Sequence, residues 1–144
     1  MNLQINQPQI HWQAAHHAVD AAAQKALELG VKINVAVVDT GGNRVALLRM
    51  NGAPLHSIVI AEDKAFTAAS FGLATDQWSA VLKLHSEAVQ RGLPKVERFV
   101  MFGGGVPILV DGELIGGIGV SGASEEQDGE CARAGLAAIG LVAQ

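Results

Sequence analysis

Two glycine-bearing turns set between strand-patterned runs constrain this chain more than any other feature. Val31 to Asp39 alternates and is rich in Val and Ile, Gly41-Gly42-Asn43 supplies a turn, and Arg44 to Met50 resumes the strand pattern. Later, Val106 to Val110 and Glu113 to Val120 flank Asp111-Gly112, a dipeptide strongly favoured in two-residue hairpins. Hairpins join antiparallel neighbours, whereas parallel strands need long crossovers. An antiparallel sheet follows, and Phe99 to Phe102 reads as a further strand, five in all.

Helical periodicity surrounds these strands. Trp12, Ala15, Val19, Ala22, Ala26 and Leu29 recur at steps of three and four within a run from about Pro8 to Leu29, with Pro8 suited to the first turn and Gly30 to the stop. A second helix is predicted from Leu55 to Phe71. A weaker one runs from Thr75, as its N-cap, to Arg91. Ser124 and Gln127 form a capping box, and Glu125, Glu126 and Asp128 suit the positive start of a last helix that runs to about Val142. The order helix, two strands, two helices, three strands, helix predicts one α+β domain over residues 1–144.

Composition narrows the function classes. Charged residues make up only 17% of the 144, against roughly 25% in an average soluble domain. Apolar surface left uncovered by charge is expected to meet sister chains, so a homo-oligomer is predicted. The net charge of −4 and the lack of a basic run argue against nucleic acid as a partner. No run approaches the roughly 18 apolar residues of a membrane span, and the chain reads as cytoplasmic. The single cysteine, Cys131, reads as a small buried filler.

Several motifs carry competing readings. Gly117-Ile118-Gly119-Val120-Ser121-Gly122 fits a dinucleotide fingerprint, but acids follow it, and close strand-to-helix packing explains the glycines. Gly119 to Ala123 lacks the second glycine of a nucleophile elbow, and no histidine follows Ser121. Gly103-Gly104-Gly105 is either a concavity of amides for an anion or flat ligand, or a bulged turn. On the first helix His16 lies at the edge of the apolar arc and His17 on the polar side; His16 is either a ligand or a border residue bonded to Asp20. His11, His56 and His85 have surface or capping readings. With no paired histidines at metal spacing, no zinc is expected. Lys64 shares a helix face with Ile60, Thr67 and Phe71, so it either snorkels or meets an anion, a ligand carboxylate or an internal partner such as Asp39.

Six ordered blocks resemble a known family. They are Val38-Asp39-Thr40-Gly41-Gly42-Asn43, Arg49-Met50-Asn51-Gly52-Ala53, Ala61 to Ala68, Phe102 to Pro107, Gly116 to Ser124, and Glu126-Gln127-Asp128. Together they are similar to the GlcG/HbpS family, which also supplies the C-terminal domain of PduO-type corrinoid adenosyltransferases. The resemblance implies a profilin-like or PAS-like five-stranded antiparallel sheet flanked by helices, assembled into dimers and higher homo-oligomers. It also implies haem as a cofactor in some members, with links to haem degradation and redox sensing, and glycolate or diol catabolism as the setting of others. Carried over, the threonine of haem-binding members matches Thr75, and a histidine ligand maps to His16 or His17. The chain departs from the family between Asp76 and Glu97, where a Pro/Gly-rich loop gives way to a segment bearing Trp78 and His85. It also carries Asn51 where the family has Asp.

Three functions stay open on the sequence. One is an oligomeric binder of haem or another tetrapyrrole, using His16, Thr75 and the glycine run, with Lys64, Arg49 or Arg91 for the propionates. Another is an acid-base isomerase or lyase on a carboxylate or hydroxy-acid metabolite. There Lys64 or His85 moves the proton, Arg49 clamps the carboxylate and the Gly103 to Gly105 amides stabilise developing charge. The third is an accessory subunit whose conspicuous residues serve packing.

Overall fold

The computed structural model describes residues 1–142. Helix α1 (Trp12–Leu29) leads into strands β1 (Asn34–Val38) and β2 (Arg44–Arg49), then helix α2 (Ser57–Phe71). Short helices α3 (Trp78–Val81) and α4 (Glu87–Gly92) precede β3 (Gly105–Val110), β4 (Glu113–Ser121) and helix α5 (Glu125–Ala138). The strands form one antiparallel sheet in the order β2-β1-β4-β3. The α+β architecture follows the reading of the hairpins; the strand count does not.

The expected strand at Phe99 to Phe102 is irregular backbone, so the described sheet has four strands and not five. Arg98 takes a left-handed φ of 65°, which breaks an extended run. The Thr67 hydroxyl then donates to the Arg98 carbonyl (2.9 Å) and accepts the Val100 amide (3.1 Å), so α2 holds this backbone in place of a ladder.

The expected helix from Thr75 to Arg91 is also broken. One 3-10 turn covers Thr75–Gln77 before α3, a second covers Leu82–Leu84, and His85 is extended at ψ 169°. Ser86 accepts the Val89 amide and starts α4 anew. Trp78 drives the break: its buried ring stacks edge-on against Phe71 and Phe99 at 4.8 and 4.9 Å between centroids. Nor does Pro8 open α1. Residues 8–10 stay outside the helix because the Ile10 amide donates to the Ile115 carbonyl and Ile10 enters the core, so the helix begins after His11. At the other end α5 stops at Ala138, short of Val142.

The two faces of the sheet are packed differently. Val35, Val37, Ile118, Val120, Val106 and Ile108 meet α1 and α5 in the main aliphatic core, where Cys131 is buried as a filler. On the other face β4 offers Gly117 and Gly119, and α2 lies directly on their backbone. A Cβ at Gly119 would overlap the Ala61 carbonyl oxygen, and one at Gly117 that of Ala65. At the neighbouring Gly105 a Cβ would stand 2.6 Å from the Lys64 carbonyl oxygen. The first two glycines of the apparent dinucleotide fingerprint therefore seat a helix on a sheet, while Gly122 lies against the Lys32 backbone.

Candidate functional site

Lys64 projects from α2 into the protein and is only 1% exposed. Its Nζ donates to the Val120 carbonyl (2.8 Å) and to Asp128 Oδ2 (3.0 Å), with the Phe102 ring 5.0 Å away. Asp128 accepts the Ala123 amide on its other oxygen. Burial holds the ammonium below the ordinary lysine value and pushes the carboxyl above its own, while the mutual attraction works against both shifts. The anion foreseen for Lys64 is thus Asp128 and not Asp39, whose carboxylate accepts the Gly41 and Asn43 amides in its own turn. Asp128 was legible by spacing. With Cys131, Ala132 and Gly135 it falls on the buried stripe of α5, unlike its exposed neighbours Glu125 and Glu126.

The glycine run closes over the same pair. Gly104 has φ 125°, and a Cβ there would come within 2.7 Å of Lys64 Nζ. The Gly105 amide donates to the buried Thr75 hydroxyl (2.9 Å) and the Gly103 amide to Glu125 (3.0 Å). These two amides are spent inside the chain, and the recess beside Gly103 is lined by Asp76, Glu125 and Glu126, which repel an anion. Thr75 is fully buried, so it cannot meet a ligand unless its bond to Gly105 opens.

The remaining candidates lie elsewhere. His16 and His17 are exposed on α1, their rings 6.0 Å apart, on the opposite side of the sheet from α2. His85 is exposed in the link between α3 and α4. Arg49 ends β2 and donates one bond to the Ala53 carbonyl (3.1 Å). Lys64, His85 and Arg49 do not converge, and Lys64 has no route to a substrate. The described residues contain no group of three or more His, Cys, Asp or Glu placed to hold a metal ion, and no helix long and apolar enough to cross a membrane.

The structure opens a site that the motifs did not announce. Helix α1 stops at Gly30 in a left-handed conformation, and the chain turns back under the end of β2. β2 is an outer strand, so a recess of about 640 Å³ remains between them, within the usual range for small-molecule sites. Leu27, Val31, Leu48 and Met50 form its apolar wall; Lys32 and Arg49 add two cations. Asn51 completes the lining, and no carboxylate contributes to it. Such a site favours a largely apolar molecule with negative groups at one edge. His16 shares the Leu27 stripe of α1, three turns earlier and about 16 Å along the axis. Lys32 carried no motif, and only the folded backbone brings it beside Arg49.

Comparison with known proteins places this architecture. A 15.0 kDa protein from the dhaT-dhaS intergenic region of Citrobacter freundii is 36% identical over 115 residues, covering 80% of this chain and 81% of its own. The crystal structure of a double mutant of Streptomyces reticuli HbpS superposes with a TM-score of 0.87 at 34% identity, covering 96% of this chain and 92% of that one. A PduOC–haem complex superposes with a TM-score of 0.83 at 35% identity, covering 92% and 96%. The family model described as "Haem degrading protein HbpS-like" matches residues 10–137, and the chain therefore belongs to the HbpS-like family.

Proposed function

We propose that this protein is a homo-oligomeric binder of haem or a closely related tetrapyrrole, acting in haem handling or degradation in the cytoplasm. The observation that carries this reading is its likeness to the PduOC–haem complex along nearly the whole chain. The residues present fit such a group. Leu27, Val31, Leu48 and Met50 offer apolar surface to a macrocycle, and Lys32 and Arg49 offer charge-assisted bonds to two propionates. Asn51, which takes the place of the family's Asp, leaves the recess without a repelling carboxylate. Met50 already accepts the Ile33 amide through sulfur, and His16 stands too far along α1 to reach a haem in its own chain's recess, so the better axial ligand is an exposed imidazole of a neighbouring copy, His16 of the partner subunit or His17 of the partner subunit. Haem bound in this way supplies an iron centre for ligand or electron exchange. A lone cysteine, with no internal disulfide open to it, suits a reducing compartment.

Hemin titration tests this directly. The expected result is a saturable, shifted Soret band at micromolar hemin whose position changes in His16→Ala or His17→Ala. A free-hemin spectrum throughout the titration overturns the reading. The acid-base enzyme reading has no comparable support, because its three residues stand apart and its lysine is sealed.

A further inference from the structure

The residues before α1 alternate strictly: Met1, Leu3 and Ile5 are apolar, while Asn2, Gln4 and Asn6 are polar. A period of two marks a strand with one apolar face. In the structure these residues pair with nothing, and Leu3 and Ile5 are 87% and 84% exposed. The base of the arm is nevertheless fixed. Gln9 accepts the Thr40 amide (2.8 Å) and donates to the Thr40 hydroxyl, and Ile10 is tied to Ile115. A strand-patterned arm on a fixed base is half of an interface.

The sheet offers a matching edge. The Met50 amide donates to the Ile33 carbonyl, so Leu48 and Ala46, two and four residues back, take the same inward positions against β1. Leu47 and Arg49 then turn their amides outward, where the described residues provide no backbone partner. The opposite margin, β3, carries Pro107, which has no amide to donate. The four residues between Arg44 and Arg49 leave the middle of the open margin uncharged, and the whole strand of six spans about 20 Å, which residues 1–6 can follow when extended.

We propose that residues 1–6 of one copy add as a strand to β2 of a second copy, with Leu3 and Ile5 on the side of Leu27 and Leu48. Pro8 selects the second copy over the chain's own edge. It fixes its own φ and keeps Gln7 extended, so the arm leaves the body without the tight reversal that self-pairing needs. The described sheet would gain its fifth strand in this way, supplied by a neighbour. The proposal does not rest on haem binding and is tested on ligand-free protein; the arm covers the Leu27 and Leu48 wall, so bound haem would displace it.

Hydrogen exchange of the full chain and of its Leu3→Asp/Ile5→Asp variant provides the main test. The arm lies outside the core, so the variant folds. The Leu47 and Arg49 amides should exchange at least about tenfold faster in the variant. Equal exchange in the two proteins overturns the proposal. A co-refolded mixture of Ile5→Cys and Leu48→Cys chains, whose side chains share one face of the sheet, should give a disulfide-linked heterodimer under oxidation. Faster exchange with no cross-link between chains would show the arm on its own sheet, and that also overturns the proposal.

Discussion

The α2 face of the sheet and the margin beside β2 are built on opposite plans. On the first, glycine backbone meets helix backbone without a gap, and the polar groups around the glycine run are paired inside the chain: Lys64 with Asp128, Thr75 with Gly105, Gly103 with Glu125. On the second, apolar side chains stand open and Lys32 has no ion-pair partner among the described residues. Lys64, Thr75 and the glycine run, which stand out in the sequence, sit on the closed face and hold the fold together. The open margin, made of ordinary residues, is where a ligand or neighbour can be met. Tight packing uses up reactive groups, while a margin without packing keeps them available.

The sharpest way to break this contrast is Gly119→Ala. Its Cβ would overlap helix backbone that cannot rotate away, so the loss should exceed about 4 kcal/mol, read as failure to give folded protein or a collapsed urea midpoint. Lys64→Met comes next at about 3 to 5 kcal/mol, because it strands a buried carboxylate. Lys64→Met/Asp128→Leu should recover to within about 1 kcal/mol of the parent in the same urea experiment. In Lys64→Met alone, Asp128 keeps a raised pKa in the folded state. That variant should be most stable in acid and lose stability as pH rises above the ordinary carboxylate value of 3.8. Thr75→Val removes the acceptor of a buried amide and should cost about 1 to 3 kcal/mol by urea unfolding. Arg49→Ala sits at the small end, changing stability by less than about 0.5 kcal/mol while weakening hemin binding about tenfold. A large stability loss there would place Arg49 with the packing residues and erase the contrast.

The sequence made the hairpins readable because Asp111-Gly112 and Gly41-Gly42-Asn43 are local signals, complete within a few residues. The capping box of Ser124 and Gln127 forms as expected for the same reason. The segment from Thr75 to Phe102 was not readable in this way. Its helical spacing is overruled by a buried Trp78 and by the grip of Thr67 on distant backbone, both of which are tertiary facts. At the site, Lys64 was identified and its partner was not: the spacing of α5 marks Asp128 as a buried acid, but only the fold brings it to Lys64. The recess was invisible because Lys32 and Leu27 acquire meaning only when α1 ends beside the last residues of β2.

Pro107 has a consequence for solubility in a protein so poor in charge. Without an amide at this position β3 offers an incoming strand an interrupted ladder, which hinders two sheets from joining margin to margin. The imide thus guards the β3 margin against sheet-to-sheet growth.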